Sequence, residues 1–422
     1  MANAYRSNSR VLMASLVGTS VEFYDFYIYA TAVALVFGPL FFPAEDPSMQ
    51  LLASYASLAV AFIARPIGAA VFGHFGDRIG RKSTLVASLL LMGISTLLIG
   101  FLPIYETAGW IAPVLLCVLR FGQGFGLGGE WGGAALLAVE NAPPGYRARY
   151  GMFPQLGAPI GFLAANGVFL VLGATMSDEQ FLGWGWRIPF LLSFILVAVG
   201  LWARLKLSET PAFAAALAEA PPPRVPIGEL FARHAVPTIA AMFGMIAVFA
   251  IFYLSTAFAL GYGTTTLQYD REAFLGAQLG AIFFMAIGIA LAGKASDATS
   301  PRTVLLGAFA ATFVVGLVMA PLLESGSIAL VWVYLCFAML VVGFIYGPVA
   351  TYLPDLFPAR VRYSGASIAF NVGGIFGGGL APIIAQALVP LGGLTYVGLY
   401  LASTAVISAV AVAMLRRQPA TI

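Results

Sequence analysis

Twelve runs of about 20 apolar residues, each the length needed to cross a bilayer as a helix, are separated by short polar breaks. They lie near 12–40, 49–72, 83–103, 110–139, 150–173, 187–205, 235–262, 272–292, 303–323, 328–352, 364–389 and 392–415. Lipid offers the backbone no hydrogen-bond partner, so such segments are restricted to helices that satisfy themselves. With 60% hydrophobic and only 9% charged residues, and a mean hydropathy of +0.93, the 422-residue chain reads as an all-α polytopic membrane protein. The first run is too long and too acidic for a cleaved signal peptide.

Lys and Arg in short loops stay on the cytoplasmic side. With the N-terminus inside, that face collects 17 of the 21 basic residues, including Arg78, Arg81, Lys82, Arg147, Arg149, Arg360, Arg362, Arg416 and Arg417. The opposite loops carry mostly acids. Both termini are therefore expected to be cytoplasmic. No basic tract points to nucleic acid. Cys117 and Cys336 fall inside spans, so neither a disulfide framework nor a metal site is expected. Nothing reads as a phosphate-binding loop, a His-rich cluster or a Ser/His/Asp arrangement, so no cofactor and no enzymatic activity are expected.

The longest loop, around 206–234, contains PPPRVP at 221–226 and reads as a linker. The expected organisation is a six-helix bundle over 1–206, a cytoplasmic linker over 207–233 and a second six-helix bundle over 234–422. Internal similarity supports the division. GHFGDRIGRK at 73–82 has a weaker echo in GKASDATSPR at 293–302, and Arg147-Ala-Arg149-Tyr150 recurs as Arg360-Val-Arg362-Tyr363. The offsets are 293 − 73 = 220 and 360 − 147 = 213. Paired repeats with a midplane site between them are a known transporter plan.

Six ionisable residues sit within first-half spans: Glu22, Asp25, Arg65, Arg120, Glu130 and Glu140. Each costs roughly 3 kcal/mol at the bilayer centre on insertion scales, so the set demands partners or a water-filled cavity. Second-half spans offer polar groups instead, including Tyr253, Gln278, Tyr346 and Asn371. Glu22 and Asp25 are three residues apart, about 60° around a helix, and Tyr29 lies over the same face. A carboxyl withdrawn from water gains and loses a proton near physiological pH, whereas Arg stays charged. The expected division of labour has Glu22, Asp25 and Arg120 coupling protons. Arg120, Arg65, Gln123, Tyr29, Tyr253, Gln278, Tyr346 and Asn371 are the candidate substrate ligands. The alternative for the same charges is a structural ion-pair network. Glu140 is expected to pair with Arg147 or Arg149 and with the Asp77, Arg78 and Arg81 cluster in a gating network. Glu130 either lines the cavity or braces a neighbouring helix.

These residues resemble the major facilitator superfamily. GHFGDRIGRK looks like its loop motif G-x-x-x-D-R-x-G-R-K, RFGQGFGLG at 120–128 resembles its span-four motif linked to proton transfer, and PDLFPARVRYSG at 354–365 resembles its sugar-porter signature. With VEFYDFYIY, ARPIGA at 64–69 and GGEWGGAALLAVENAPP at 128–144, the likeness is to metabolite:proton symporters. SDEQFLGWGWRIPFLLS at 177–193 points to their shikimate-transporter branch. The resemblance implies two pseudo-symmetric six-helix bundles, a bacterial inner-membrane location, a monomer, and proton-coupled uptake of a small carboxylated metabolite by alternating access. It extends the gating network to Asp297, Asp355, Arg360 and Arg362. The second loop motif keeps Asp297 but loses its Arg-x-Gly-Arg, which argues against a symmetrical latch.

Members of this family take up dicarboxylates, citrate, shikimate, proline or glycine betaine. Osmosensing members carry a long C-terminal coiled coil, and the seven residues after 415 argue against that role. Two rivals remain: a proton-driven exporter, from LGAPIG at 156–161, and a carrier of a zwitterionic solute caged by Phe23, Tyr24, Phe26, Tyr27 and Tyr29.

Overall fold

A computed structural model describes residues 2–79, 81–128, 130–205, 226–358 and 361–415, and within these the side chains except at 2–11, 14, 73–79, 81–85, 137, 203–205 and 226–227. Ten segments are long and apolar enough to cross a membrane. One of them, Arg362–Met414, holds two spans. A further helix, Arg81–Ile99, is apolar over Val86–Ile99. Twelve spans result. In the first half they are α1 (Ser15–Phe41), α2 (Pro47–Phe72), α3 (Arg81–Ile99), α4 (Ile111–Glu140), α5 (Arg147–Thr175) and α6 (Gly185–Trp202). In the second half they are α7 (Ala235–Thr265), α8 (Arg271–Ala298), α9 (Pro301–Leu323), α10 (Ile328–Tyr352), α11 (362–391) and α12 (394–414). The break between α11 and α12 falls at Gly392 and Gly393. Gly393 has φ +63°, a left-handed value that a side chain disfavours. Most of the expected linker lies outside the described residues; its last part is the short helix Pro226–Arg233.

Within the first half, α1 packs on α5, α2 on α4, and α3 on α4 and α6; within the second, α8 and α9 pack on α10 and α9 on α12. The halves meet where α5 lies against α8 and α10, and α2 and α4 lie against α11. Small residues permit the closest approaches. A Cβ at Gly68, Gly124 or Gly128 would collide with the backbone of Phe125, Ala61 or Arg65 respectively. The α2–α4 contact is therefore nearly backbone to backbone, and it sets Arg65 and Arg120 beside the same ring.

Among the described residues three spans contain a π-helical turn: Val33–Phe37 in α1, Leu254–Phe258 in α7 and Ile375–Gly379 in α11. The first two occupy nearly equivalent places in the two halves, matching the spacing between the two copies of the loop motif. Such turns are found mostly at functional sites, and the Gln278 amide braces the one in α7, donating to the Ser255 (3.4 Å) and Thr256 (3.0 Å) carbonyls.

Candidate functional site

Between the halves lies a cavity of about 50 Å³. The first half contributes Glu22, Phe23 and Tyr27 from α1, Arg65 from α2 and Trp131 from α4. The second contributes Phe249, Phe252 and Tyr253 from α7, Met285 from α8, Val342 and Tyr346 from α10, and Phe370 and Asn371 from α11. Apart from Phe23 these residues are buried. Trp131 and Phe370 stack in parallel across the junction, ring centres 3.9 Å apart. The Trp131 indole donates to Gln155 Oε1 (3.1 Å), whose amide donates to the Tyr346 carbonyl (2.8 Å). Asn371 donates to the Gly128 carbonyl (3.2 Å) in the other half.

Arg65 is 4% exposed. Its guanidinium carbon sits 4.2 Å from the centre of the Phe26 ring and 4.7 Å from that of Phe62. Aromatic faces attract the cation but accept no in-plane hydrogen bond, and the Arg65 Nε has no hydrogen-bond partner. The Tyr346 hydroxyl, on the same cavity, lies beside the Trp131 indole N–H and is likewise buried without an acceptor for its own hydrogen. Glu22 completes the charged lining.

A second polar site lies behind Phe26. Arg120 is fully buried, its guanidinium 4.3 Å from the centre of the Phe26 ring and 3.9 Å from that of Tyr29. It donates to Gln123 Oε1. The Gln123 amide donates in turn to the Asp25 carbonyl (2.9 Å) and to Thr96 Oγ1 (2.8 Å). Asp25 is fully buried. Ser193 of α6 and Thr96 of α3 flank its carboxyl, yet neither oxygen makes a hydrogen bond of ordinary geometry. Phe26 thus carries both guanidiniums, one from each site.

The sequence-based expectations divide accordingly. Arg65, Tyr253, Tyr346 and Asn371 line the cavity, as does Glu22. Arg120, Gln123 and Asp25 form the site behind it. Tyr29 points away and donates to Ser57 Oγ (2.8 Å), and Gln278 braces the α7 π-turn. The expected common face of Glu22 and Asp25 is corrected here. Their angular offset around the helix is enough to split them, because α1 is wedged between the opposite half and its own bundle. Glu130 accepts a hydrogen bond from Ser88 of α3 and is absent from the cavity lining. The residues that sequence reasoning passed over are Trp131, Phe370, Gln155, Thr96 and Ser193. The only signal for any of them was the tryptophan inside the motif around Glu130.

At the Arg-rich end, two pairs cross between the halves among the described residues: Arg147 to Asp355 at 2.9 Å, and Arg149 to Asp297 at 3.3 Å. Asp297 also accepts from the backbone N–H groups of Ala148 (2.8 Å) and Arg149 (3.2 Å), so it caps the start of α5 from the other half. These pairs replace the expected partnership of Arg147 and Arg149 with Glu140, which is exposed. The start of α5 packs against the end of α4 as well as the second half, but its two arginines reach across to the second half. Arg362 donates to the Phe357 carbonyl (3.4 Å). The side chains of Asp77, Arg78 and Arg81, and all of Arg360, lie outside the described residues. At the opposite end Arg271 of α8 pairs with Asp178 across the halves at 2.9 Å. The cavity is clamped at both ends.

The model of the Major Facilitator Superfamily matches residues 15–377. The chain is 48% identical over 411 residues to the inner membrane metabolite transport protein YhjE of Escherichia coli (strain K12), a match covering 96% of this chain and 93% of that one. It is 38% identical over 420 residues to the shikimate transporter of the same organism, covering 96% and 94%. The crystal structure of a D-xylose-proton symporter is alike in fold, with a TM-score of 0.74 at 19% identity over 96% of this chain and 97% of that one. Twelve spans in two halves around a central cavity, a family match over most of the length and relatives that are transport proteins rather than enzymes lead to one conclusion: the chain belongs to the Major Facilitator Superfamily.

Proposed function

We propose that this chain imports a small carboxylated metabolite together with protons, as a monomer in a bacterial inner membrane with both termini cytoplasmic. The observation that carries the reading is two buried arginines on the one ring of Phe26. Arg65 lines the cavity between the halves together with Glu22, whereas Arg120, linked through Gln123 to the backbone of the buried Asp25, lies off it. The names borne by the similar metabolite and shikimate transport proteins agree with it.

In this reading the substrate carboxylate takes the edge of Arg65, and the proton resides on Asp25. Two cations on one ring feel each other's charge, so neutralising Asp25 leaves Arg120 unbalanced and makes an anion near Arg65 more favourable. Coupling requires that both ligands bias the same pair of states, and the cross-half pairs at either end of the cavity are what opening must break. The 1–206 and 234–422 bundles would then rock about the site as two bodies.

The decisive experiment is uptake of organic acids into proteoliposomes, with and without a pH gradient. Symport predicts accumulation when the interior is alkaline and its collapse with a protonophore. Accumulation driven by the reverse gradient would establish an exporter instead. The aromatic walls formed by Tyr27, Phe249, Phe252 and Trp131 also suit a quaternary ammonium; inhibition of organic-acid uptake by glycine betaine would favour that zwitterionic reading.

A further inference from the structure

Resting on the carboxylate-symport reading, we infer that the cavity selects a monocarboxylate with an uncharged, apolar or planar body, anchored by Arg65 and the Tyr346 hydroxyl, and rejects di- and tricarboxylates. Three observations converge on this substrate class.

The first is the supply of cations. Among the described residues lining the cavity, Arg65 is the one cation and Glu22 the one anion, and the second half contributes no charged side chain at all. The opposing half lines it with Phe249, Phe252, Met285, Val342 and Phe370, and its polar groups there, Tyr253, Tyr346 and Asn371, are neutral. A second carboxylate would face either Glu22 or that wall without a cation, and an unpaired buried charge is strongly disfavoured.

The second is the pair of buried donors without acceptors. Arg65 Nε and Tyr346 Oη both belong to cavity-lining side chains, 4% and 5% exposed respectively; the Trp131 indole N–H lies beside the Tyr346 hydroxyl, and neither Arg65 Nε nor Tyr346 Oη has an acceptor for its hydrogen. Phe26 and Phe62 meet the Arg65 charge with ring faces, so its Nε–H stays available. A carboxylate is the group that an arginine edge and a phenol hydroxyl can share. Buried donors left unmade are costly, which is a reason for a ligand to supply their acceptor. The site has one such pair and not two.

The third is charge balance. The two sites together hold two acids, Glu22 and Asp25, and two arginines, Arg65 and Arg120. One proton on either acid leaves a net charge of +1, which a single carboxylate cancels. A dicarboxylate leaves one negative charge in a space of about 50 Å³, with room for only a few waters to hydrate it. A zwitterion leaves the positive charge uncancelled.

The test uses wild-type proteoliposomes loaded with a pH-sensitive dye, so that proton influx reports transport of unlabelled compounds. It is paired with uptake of radiolabelled versions of the same compounds. The probes are cyclohexanecarboxylate, lactate and shikimate as monocarboxylates, cyclohexane-1,2-dicarboxylate and succinate as dicarboxylates, citrate, and glycine betaine. The expected result is saturable uptake of at least one monocarboxylate, with half-saturation for every di- and tricarboxylate weaker by at least about 100-fold, a loss typical of an unpaired buried charge. Arg65→Lys keeps the charge but loses the fork, and it should weaken half-saturation about tenfold while the pH dependence of transport stays put. Tyr346→Phe, nearly isosteric and expected to fold, should weaken it severalfold. Equal or better uptake of succinate, citrate or glycine betaine overturns the inference while leaving a transporter. Uptake of monocarboxylates alone but without proton influx overturns the symport reading and supports the selectivity. If no carboxylate is carried, both fail.

Discussion

Replacing Asp297 with alanine should open the Arg-rich end of the protein far more than removing the other cross-half acid, Asp355. Asp297 sits at the end of α8 with its side chain 7% exposed, and it accepts hydrogen bonds from the Ala148 and Arg149 N–H groups at the start of α5. Those N–H groups have no partner within their own helix, and the helix terminus favours negative charge. Hydrogen bonds to a charged group are worth about 1.5–3 kcal/mol net. The Arg149 contact adds only a few tenths of a kcal/mol, because the arginine side chain is 38% exposed and water screens it. Asp297→Ala should therefore shift the closed-to-open ratio at this end by roughly 10- to 150-fold. Asp297→Asn, which keeps one acceptor, should shift it by much less. Asp355 pairs with an arginine whose side chain is 51% exposed, so its loss is worth about 0.5 kcal/mol, or roughly twofold. The assay is spin-label distance measurement between Pro144→Cys and Thr299→Cys, after replacement of Cys117 and Cys336. A longer-distance population should grow strongly in Asp297→Ala and barely in Asp355→Ala. An unchanged distribution in Asp297→Ala, or equal effects from the two substitutions, would refute the assignment of the latch to the capped acid.

Other outcomes follow from the same geometry. Asp25→Asn should abolish pH-driven accumulation while retaining substrate exchange, since the amide mimics the protonated acid; accumulation like the wild type's would remove Asp25 from the coupling site. Arg120 lies behind Phe26 and off the cavity, so Arg120→Lys should move the pH profile of transport and leave half-saturation near its wild-type value, whereas a large affinity loss would make Arg120 a substrate ligand after all. Gly124→Val should lower thermal stability in detergent by about 1–3 kcal/mol or more, because its Cβ would meet the Ala61 backbone; a midpoint equal to wild type would mean that α2 and α4 are not held at backbone contact.

Much of the architecture was legible because a bilayer imposes it. Runs of about 20 apolar residues have one stable form in lipid, and duplication of the loop motifs marks two halves. The candidate site was legible as a set of residues: Glu22, Asp25, Arg65 and Arg120 stand out because charges inside spans are costly. Their grouping was not. Spacing put Glu22 and Asp25 together, but a modest angular offset is neutral until something packs into it, and the opposing half takes one side while α3 and α6 take the other. Arg65 and Arg120, on different spans and far apart in sequence, share the ring of Phe26 only because Gly124, Gly128 and Gly68 let α2 and α4 touch. The loop motif's degeneration argued against a symmetrical latch, yet Asp297 caps α5 from the other half, a role that needs an acid and two N–H groups but no arginine motif. The apolar lengths and the buried charges belong to local sequence, where solvent alone dictates the answer. Which charge meets the cavity, which stays behind Phe26, and which acid holds the halves together are decided by contacts between helices distant in the chain, because a side chain's environment is set by what packs against its helix and not by its neighbours in sequence.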